Sequence, residues 1–118
     1  MIVTDEAMRK KMQRALDFNG NLYSLDDIEE HLLSGKLQGH VEGDTWVITQ
    51  VHDWPQRRAV NIMYLVGSLA GTPELEQKIE EWAKSLGADL ITAGGRDGWL
   101  KFRTPGWKKV GSLYSKDI

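Results

Sequence analysis

Cysteine is absent from the 118 residues, which excludes disulfides, thiolate nucleophiles and cysteine-ligated metals. No apolar run approaches the roughly 20 residues that a membrane helix needs. Met1-Ile2-Val3-Thr4-Asp5-Glu6 lacks the basic and apolar regions of a secretory leader, so none is expected at this end. Histidine is scarce: His31, His40 and His52 are the whole supply. A hairpin pairing Glu42 with Thr45 sets His40 opposite Val47, away from His52. The three are therefore expected as surface or strand-edge groups rather than a metal site. Ser68, His52 and Asp53 are the pieces of a hydrolase triad, but no nucleophile elbow surrounds Ser68. There is no repeat, linker or low-complexity tract.

Net charge is also small, at −2, yet it is unevenly spread. Residues 96–118 carry Arg96, Lys101, Arg103, Lys108, Lys109 and Lys116 against Asp97 and Asp117, a balance of +4 that leaves −6 on residues 1–95. A basic end on an acidic body points to a negatively charged neighbour, or to the acidic surface of another copy. Nucleic acid is the less favoured partner, because the chain as a whole is not basic.

What is present is ordinary globular composition, with 41% hydrophobic and 27% charged residues. One domain over residues 1–118 is expected. Its organising unit is residues 58–94. Arg58 to Val66 is almost continuously apolar without alternation, which predicts a strand buried on both faces. Gly67 to Gly71 form a short loop. Thr72 is placed as an N-cap with Pro73 at the first helical position. Leu75, Ile79, Trp82 and Leu86 recur at helical spacing, and Gly87 stands where the helix should stop. Asp89 to Ala93 is a second apolar strand. Two strands joined by such a helix should be parallel, with a right-handed crossover.

Upstream, Thr4 to Asp17 is predicted as a helix capped by Thr4, with a thin apolar stripe of Met8, Met12, Ala15 and Leu16. Residues 1–20 thus form an N-terminal helix that either packs on the domain or, being methionine-rich, reaches out to a neighbour. Ser24 caps a second helix from Leu25 to Ser34, with Asp27 at the capping-box position and Gly35 as its stop. Gln38 to Glu42 and Thr45 to His52 read as strands around a Gly43-Asp44 turn. Downstream, residues 97–103 read as a short helix, and Trp107 to Lys116 as a closing hairpin or paired strands. The order is α-α-β-β-β-α-β-α-β: an α/β chain, with a mixed α+β sheet built on a central β-α-β unit.

Five tryptophans are many for this length. Trp46 and Trp82 lie on element faces and are expected in the core. Trp54, Trp99 and Trp107 fall at turns or element ends, among Arg57, Arg58, Arg96, Lys101, Arg103, Lys108 and Lys109. Such residues either fill gaps between helix ends and sheet or make a basic-aromatic surface. That surface would suit a protein interface or single-stranded nucleic acid.

The predicted order, closed by Gly106-Trp107-Lys108-Lys109-Val110-Gly111 and Leu113-Tyr114-Ser115-Lys116, resembles the GCN5-related N-acetyltransferase (GNAT) fold. More narrowly, the chain is similar to small GNAT-like proteins of tailed bacteriophages and prophages. The stretches that carry this are Tyr23 to Ile28 with Ser34-Gly35-Lys36, then Glu80-Glu81-Trp82-Ala83, and Ile91 to Trp99. In enzymes of this fold the loop before the main helix wraps the coenzyme A pyrophosphate, with the pattern Arg/Gln-x-x-Gly-x-Gly/Ala. The matching stretch is Val66-Gly67-Ser68-Leu69-Ala70-Gly71, where only Gly71 fits. Gly67, Ser68, Gly71 and Thr72 are the cofactor-binding candidates that the resemblance leaves. Glu74 and Glu76 stand in the first helical turn, where they suit an empty helix end better than one holding phosphate. The family's proton-donating tyrosine falls on Phe102, which has no proton to give. Its general-base strands offer Asn61, Tyr64 and Thr92; Asn61 and Tyr64 are the catalytic candidates, although Tyr64 also reads as a core residue.

The resemblance therefore implies two readings and leaves open whether the protein is an enzyme. In the first it is a non-catalytic, phage-type GNAT-fold protein with no cofactor, acting as a structural or assembly component. It would be made in the host cytoplasm, with the virion as a further destination, and would bind other virion proteins or itself through Arg96, Trp99, Lys101, Arg103, Trp107 and Lys108. In the second it is an acyl-CoA-dependent N-acetyltransferase with a divergent pyrophosphate loop, using acetyl-CoA. Neither reading calls for a metal or a membrane.

Overall fold

The computed structural model describes residues 5–18, 20–94, 106–111 and 114–118. Along them run α1 (Glu6–Phe18), α2 (Leu25–Ser34), β1 (Gln38–Glu42), β2 (Thr45–Asp53), β3 (Arg58–Gly67), α3 (Thr72–Ser85) and β4 (Leu90–Ala93). The strands form one sheet in the order β1-β2-β3-β4. β1, β2 and β3 are antiparallel neighbours, and β4 returns parallel to β3 across α3. Glu42 faces Thr45 and His40 faces Val47, the register that the two-residue turn dictates.

Each face of the sheet buries a different cluster. On one, Ile48, Tyr64 and Val66 pack with Met8, Met12 and Leu16 of α1, Ile28 of α2 and Leu37. On the other, Val47 and Val60 pack with Leu75, Ile79 and Ala83 of α3 and with Ala88. Burying Ile28 or Ile79 stabilises by about 1.5–3 kcal/mol each. β3 is thus covered from both sides, as its unbroken apolar run requires. The stripe of α1 is docked in the core, so the helix packs on the sheet rather than standing off it; the ion pair between Arg9 and Glu29 links it to α2.

The ends of the elements follow local chemistry, with two corrections. Asp5 caps α1, its Oδ1 accepting from Ala7 N–H at 2.8 Å and Met8 N–H at 3.3 Å; Thr4, expected in that role, lies outside the described residues. Ser24 and Asp27 form the expected capping box on α2, and hydrogen bonds from the Ser24 backbone and side chain hold the Asp27 carboxyl below its usual value. Thr72 does not cap α3. Gly71 takes the N-cap position, Thr72 falls in the first turn and Pro73 follows it, because the loop is drawn inward and the chain enters the helix one residue early. At the other end, Gly87 N–H bonds Lys84 O and Ala88 N–H bonds Ala83 O, a Schellman stop made possible by the left-handed φ of Gly87.

The helix expected at 97–103 lies outside the described residues, as do Arg96, Trp99, Lys101, Phe102 and Arg103. Trp107 to Lys116, expected as a closing hairpin or paired strands, carries no strand in its described part, so among the described residues the sheet ends at β4. Strand preference is realised only against a packing partner, and Lys108, Lys109 and Gly111 supply little to pack.

Candidate functional site

The pyrophosphate-loop positions do come together, between the C-terminal end of β3 and the first turn of α3. Their hydrogen bonds are already committed. Ser68 N–H donates to Asp44 O (3.0 Å), Ala70 N–H to Ser68 Oγ (3.1 Å) and Thr72 N–H to Leu69 O (3.1 Å). Thr45, 1% exposed, sits at the centre: its hydroxyl donates to Ser68 O at 2.5 Å and accepts from Gly71 N–H at 3.2 Å. A pyrophosphate would need these N–H groups turned outward. Instead they turn to the β1–β2 hairpin and to the loop itself. Gly67, at φ +93, lies so close to the hairpin that an added Cβ would stand 1.9 Å from Asp44 O. A Cβ at Gly71 would meet Thr45 Oγ1 at 2.7 Å. Thr72 Oγ1 is buried without a hydrogen-bond partner among the described residues. Glu74 opens the first turn, and Glu76 accepts from the Trp107 indole N–H. The residues present do not fit a pyrophosphate in this conformation. Thr45 and Asp44 escaped the sequence reading, because nothing local to a hairpin says what it will touch 23 residues later.

Beside the loop, β3 carries a bulge. The pairing of β2 with β3 skips Met63: Ile48 faces Tyr64 while Thr49 faces Ile62. This bulge puts the neighbours Met63 and Tyr64 against the same helical layer. β4 pairs with β3 only from Ala59 to Ile62, so from Met63 to Gly67 no strand among the described residues lies along that edge.

The catalytic candidates are separated. Asn61 Oδ1 accepts from Thr92 Oγ1 at 2.8 Å across β3 and β4, in line with Gln50 on β2. Tyr64, 4% exposed, points into the cluster beneath α1 and α2, as a core tyrosine. His52 bonds Gln50 at 2.9 Å beside Trp54, and lies at the end of the sheet away from Ser68, so the triad pieces do not meet. His31 bonds Asp27 O on α2. No group of three metal-ligating side chains occurs among the described residues. Trp54 is exposed, whereas Trp46 and Trp82, expected in the core, are half-buried at the margins of the two clusters. Of the basic-aromatic surface, Trp107 is half-buried beside α3 and Lys108 is exposed.

His40 lies on β1, the edge strand of the sheet, within the surface or strand-edge setting expected for it, but it is not open to solvent. It is half-buried, with its ring 4.9 Å from that of Trp82 and Nε2 2.9 Å from Thr49 Oγ1. Burial holds the imidazole below its ordinary 6.5, so folding favours the neutral ring. The unfolded chain takes the proton first; this contribution to stability is complete above pH 6.5 and declines as the pH falls below it. His40→Gln is expected to flatten the fall in urea midpoint between pH 7.5 and pH 5.5, and an equal fall in both proteins would show that His40 is not its source.

No family model matches the chain, and no curated protein does. Solved structures do. The BH1408 protein of Bacillus halodurans, as a tetramutant, superimposes with TM-score 0.65 at 11% identity, over 95% of this chain and 90% of that one. A Trypanosoma brucei acetyltransferase gives TM-score 0.62 at 14% identity, over 93% and 94%. An aminoglycoside acetyltransferase from an uncultured soil metagenomic sample, in complex with sisomicin, gives TM-score 0.62 at 8% identity, over 92% and 88%. Identity this low speaks to architecture alone. Three antiparallel strands, a crossover helix, a parallel fourth strand and these likenesses together give the chain a mixed α+β, GNAT-like fold.

Proposed function

We propose that this GNAT-fold chain does not hold coenzyme A at the loop 66–71, and that it works as a non-catalytic interaction or assembly component of phage type. The observation that carries this reading is the closure of the loop: the N–H groups of Ser68, Ala70, Gly71 and Thr72 all have acceptors within the chain. The acidic first turn and the core position of Tyr64 support it. Its partners are other virion proteins or a second copy, met through Arg96, Trp99, Lys101, Arg103, Trp107 and Lys108, and its setting is the host cytoplasm and the virion. No helix among the described residues is long and apolar enough to cross a membrane.

A second reading, an acyl-CoA-dependent N-acyltransferase, is favoured by the β3 edge beyond the bulge, where β4 has parted from β3 and no strand among the described residues lies alongside. An extended pantetheine arm could pair there while the pyrophosphate binds elsewhere. Titration of the protein with acetyl-CoA and with CoA in a calorimeter separates the two. The first reading expects no heat up to millimolar ligand; micromolar binding would overturn it in favour of the second.

A further inference from the structure

We propose that two copies of this chain join through the outer edge of β1, antiparallel about a two-fold axis at His40, so that one sheet runs through both. β1 ends the sheet on that side, and among the described residues no strand lies along it. An edge strand presents a row of backbone donors and acceptors to any second strand. This one carries no proline, no lysine and no bulge, the devices that blunt such an edge. The surface is separate from the basic-aromatic one, and the pairing stands whether or not the loop 66–71 holds coenzyme A.

The register follows from the hairpin. Glu42 and Thr45 close a two-residue turn, so the backbone groups of Glu42, His40 and Gln38 bond β2 and those of Gly39 and Val41 point outward. Gly39 is exposed and Val41 is 45% exposed. The next outward N–H, that of Leu37, already donates to His31 O. Pairing Gly39 with Val41 of the second copy, and Val41 with its Gly39, therefore satisfies every remaining outward group in both chains. The side chains agree with that register. Val41 lies over the bare Gly39 of the second copy. Lys36 and Asp44, both exposed, flank the strand at its two ends, so each meets the opposite charge across the axis. At the axis His40 faces His40, a ring that burial keeps neutral near pH 7, so no like charges stand opposite each other. The half-buried Trp82 of each copy leans on that ring at 4.9 Å, which puts a large aromatic at the centre of the joint.

Sedimentation velocity of the full-length protein, from micromolar to near-millimolar concentration, tests this. The 13.4 kDa chain is expected to pass into a species of twice that mass as concentration rises. Val41→Pro removes an outward N–H from each copy and none from the β1–β2 ladder, so it should weaken association roughly 30-fold while far-UV circular dichroism stays unchanged. Because the chain has no cysteine, His40→Cys reads the axis directly: on oxidation it should cross-link to its own copy faster than Val41→Cys, which faces Gly39. That comparison decides alone if the proline variant does not fold. A protein that stays monomeric throughout would overturn the pairing and leave the edge to a different chain. So would a dimer that a folded Val41→Pro leaves intact, or cross-linking no faster at position 40 than at 41.

Discussion

Gly67→Ala is expected to lower the melting temperature by roughly 10–20 °C, a loss of about 3–4 kcal/mol. Two costs coincide at this position. The left-handed φ of +93 is one that an L side chain rarely adopts, and the new Cβ would overlap Asp44 O, a backbone atom that cannot move without shifting the β1–β2 turn. Gly87→Ala separates them. Its φ is +77, but the nearest atom to an added Cβ is Arg58 Nη1 at 4.0 Å, the end of a flexible side chain. It should therefore lose only about 1 kcal/mol. Thermal melts of both variants, followed by circular dichroism, decide the matter: equal losses would mean that the close approach of loop and hairpin costs nothing.

Thr45→Val is expected to lose about 2–4 kcal/mol, because it preserves shape while leaving Gly71 N–H and Ser68 O without their partner in a buried place. Thr45→Ser, which keeps the hydroxyl, should retain most of the stability. Urea unfolding measures both. The same valine variant should speed exchange of the Gly71 amide selectively. A valine protein as stable as the original would show that Thr45 does not pin the loop, and the case for a closed pyrophosphate loop would lose its mechanism. Weaker couplings, such as Lys78 to Glu42 between α3 and β1, are exposed ion pairs and should matter far less.

The sequence by itself determined whatever depends on near neighbours in the chain. The unbroken apolar run of β3 and the helical spacing of Leu75 and Ile79 are local patterns, and they fixed the β-α-β unit. So are Ser24 with Asp27 at the start of α2, Gly87 at the end of α3, and the Gly43-Asp44 turn, which set the register of Glu42 against Thr45. Each is decided by which side chain can satisfy a backbone group within a few residues, or by which face it presents. Thr72 shows the limit of that logic: its local preference for the cap position was overridden by a hydroxyl from another strand. Only the tertiary structure decided that Thr45 would close the loop, that Met63 would be the bulged residue, that α1 would dock rather than reach out, and that His40 would be covered by Trp82. Those outcomes join segments tens of residues apart. They depend on how two layers of helix settle on a twisted sheet, a balance of packing that no single stretch of the chain contains.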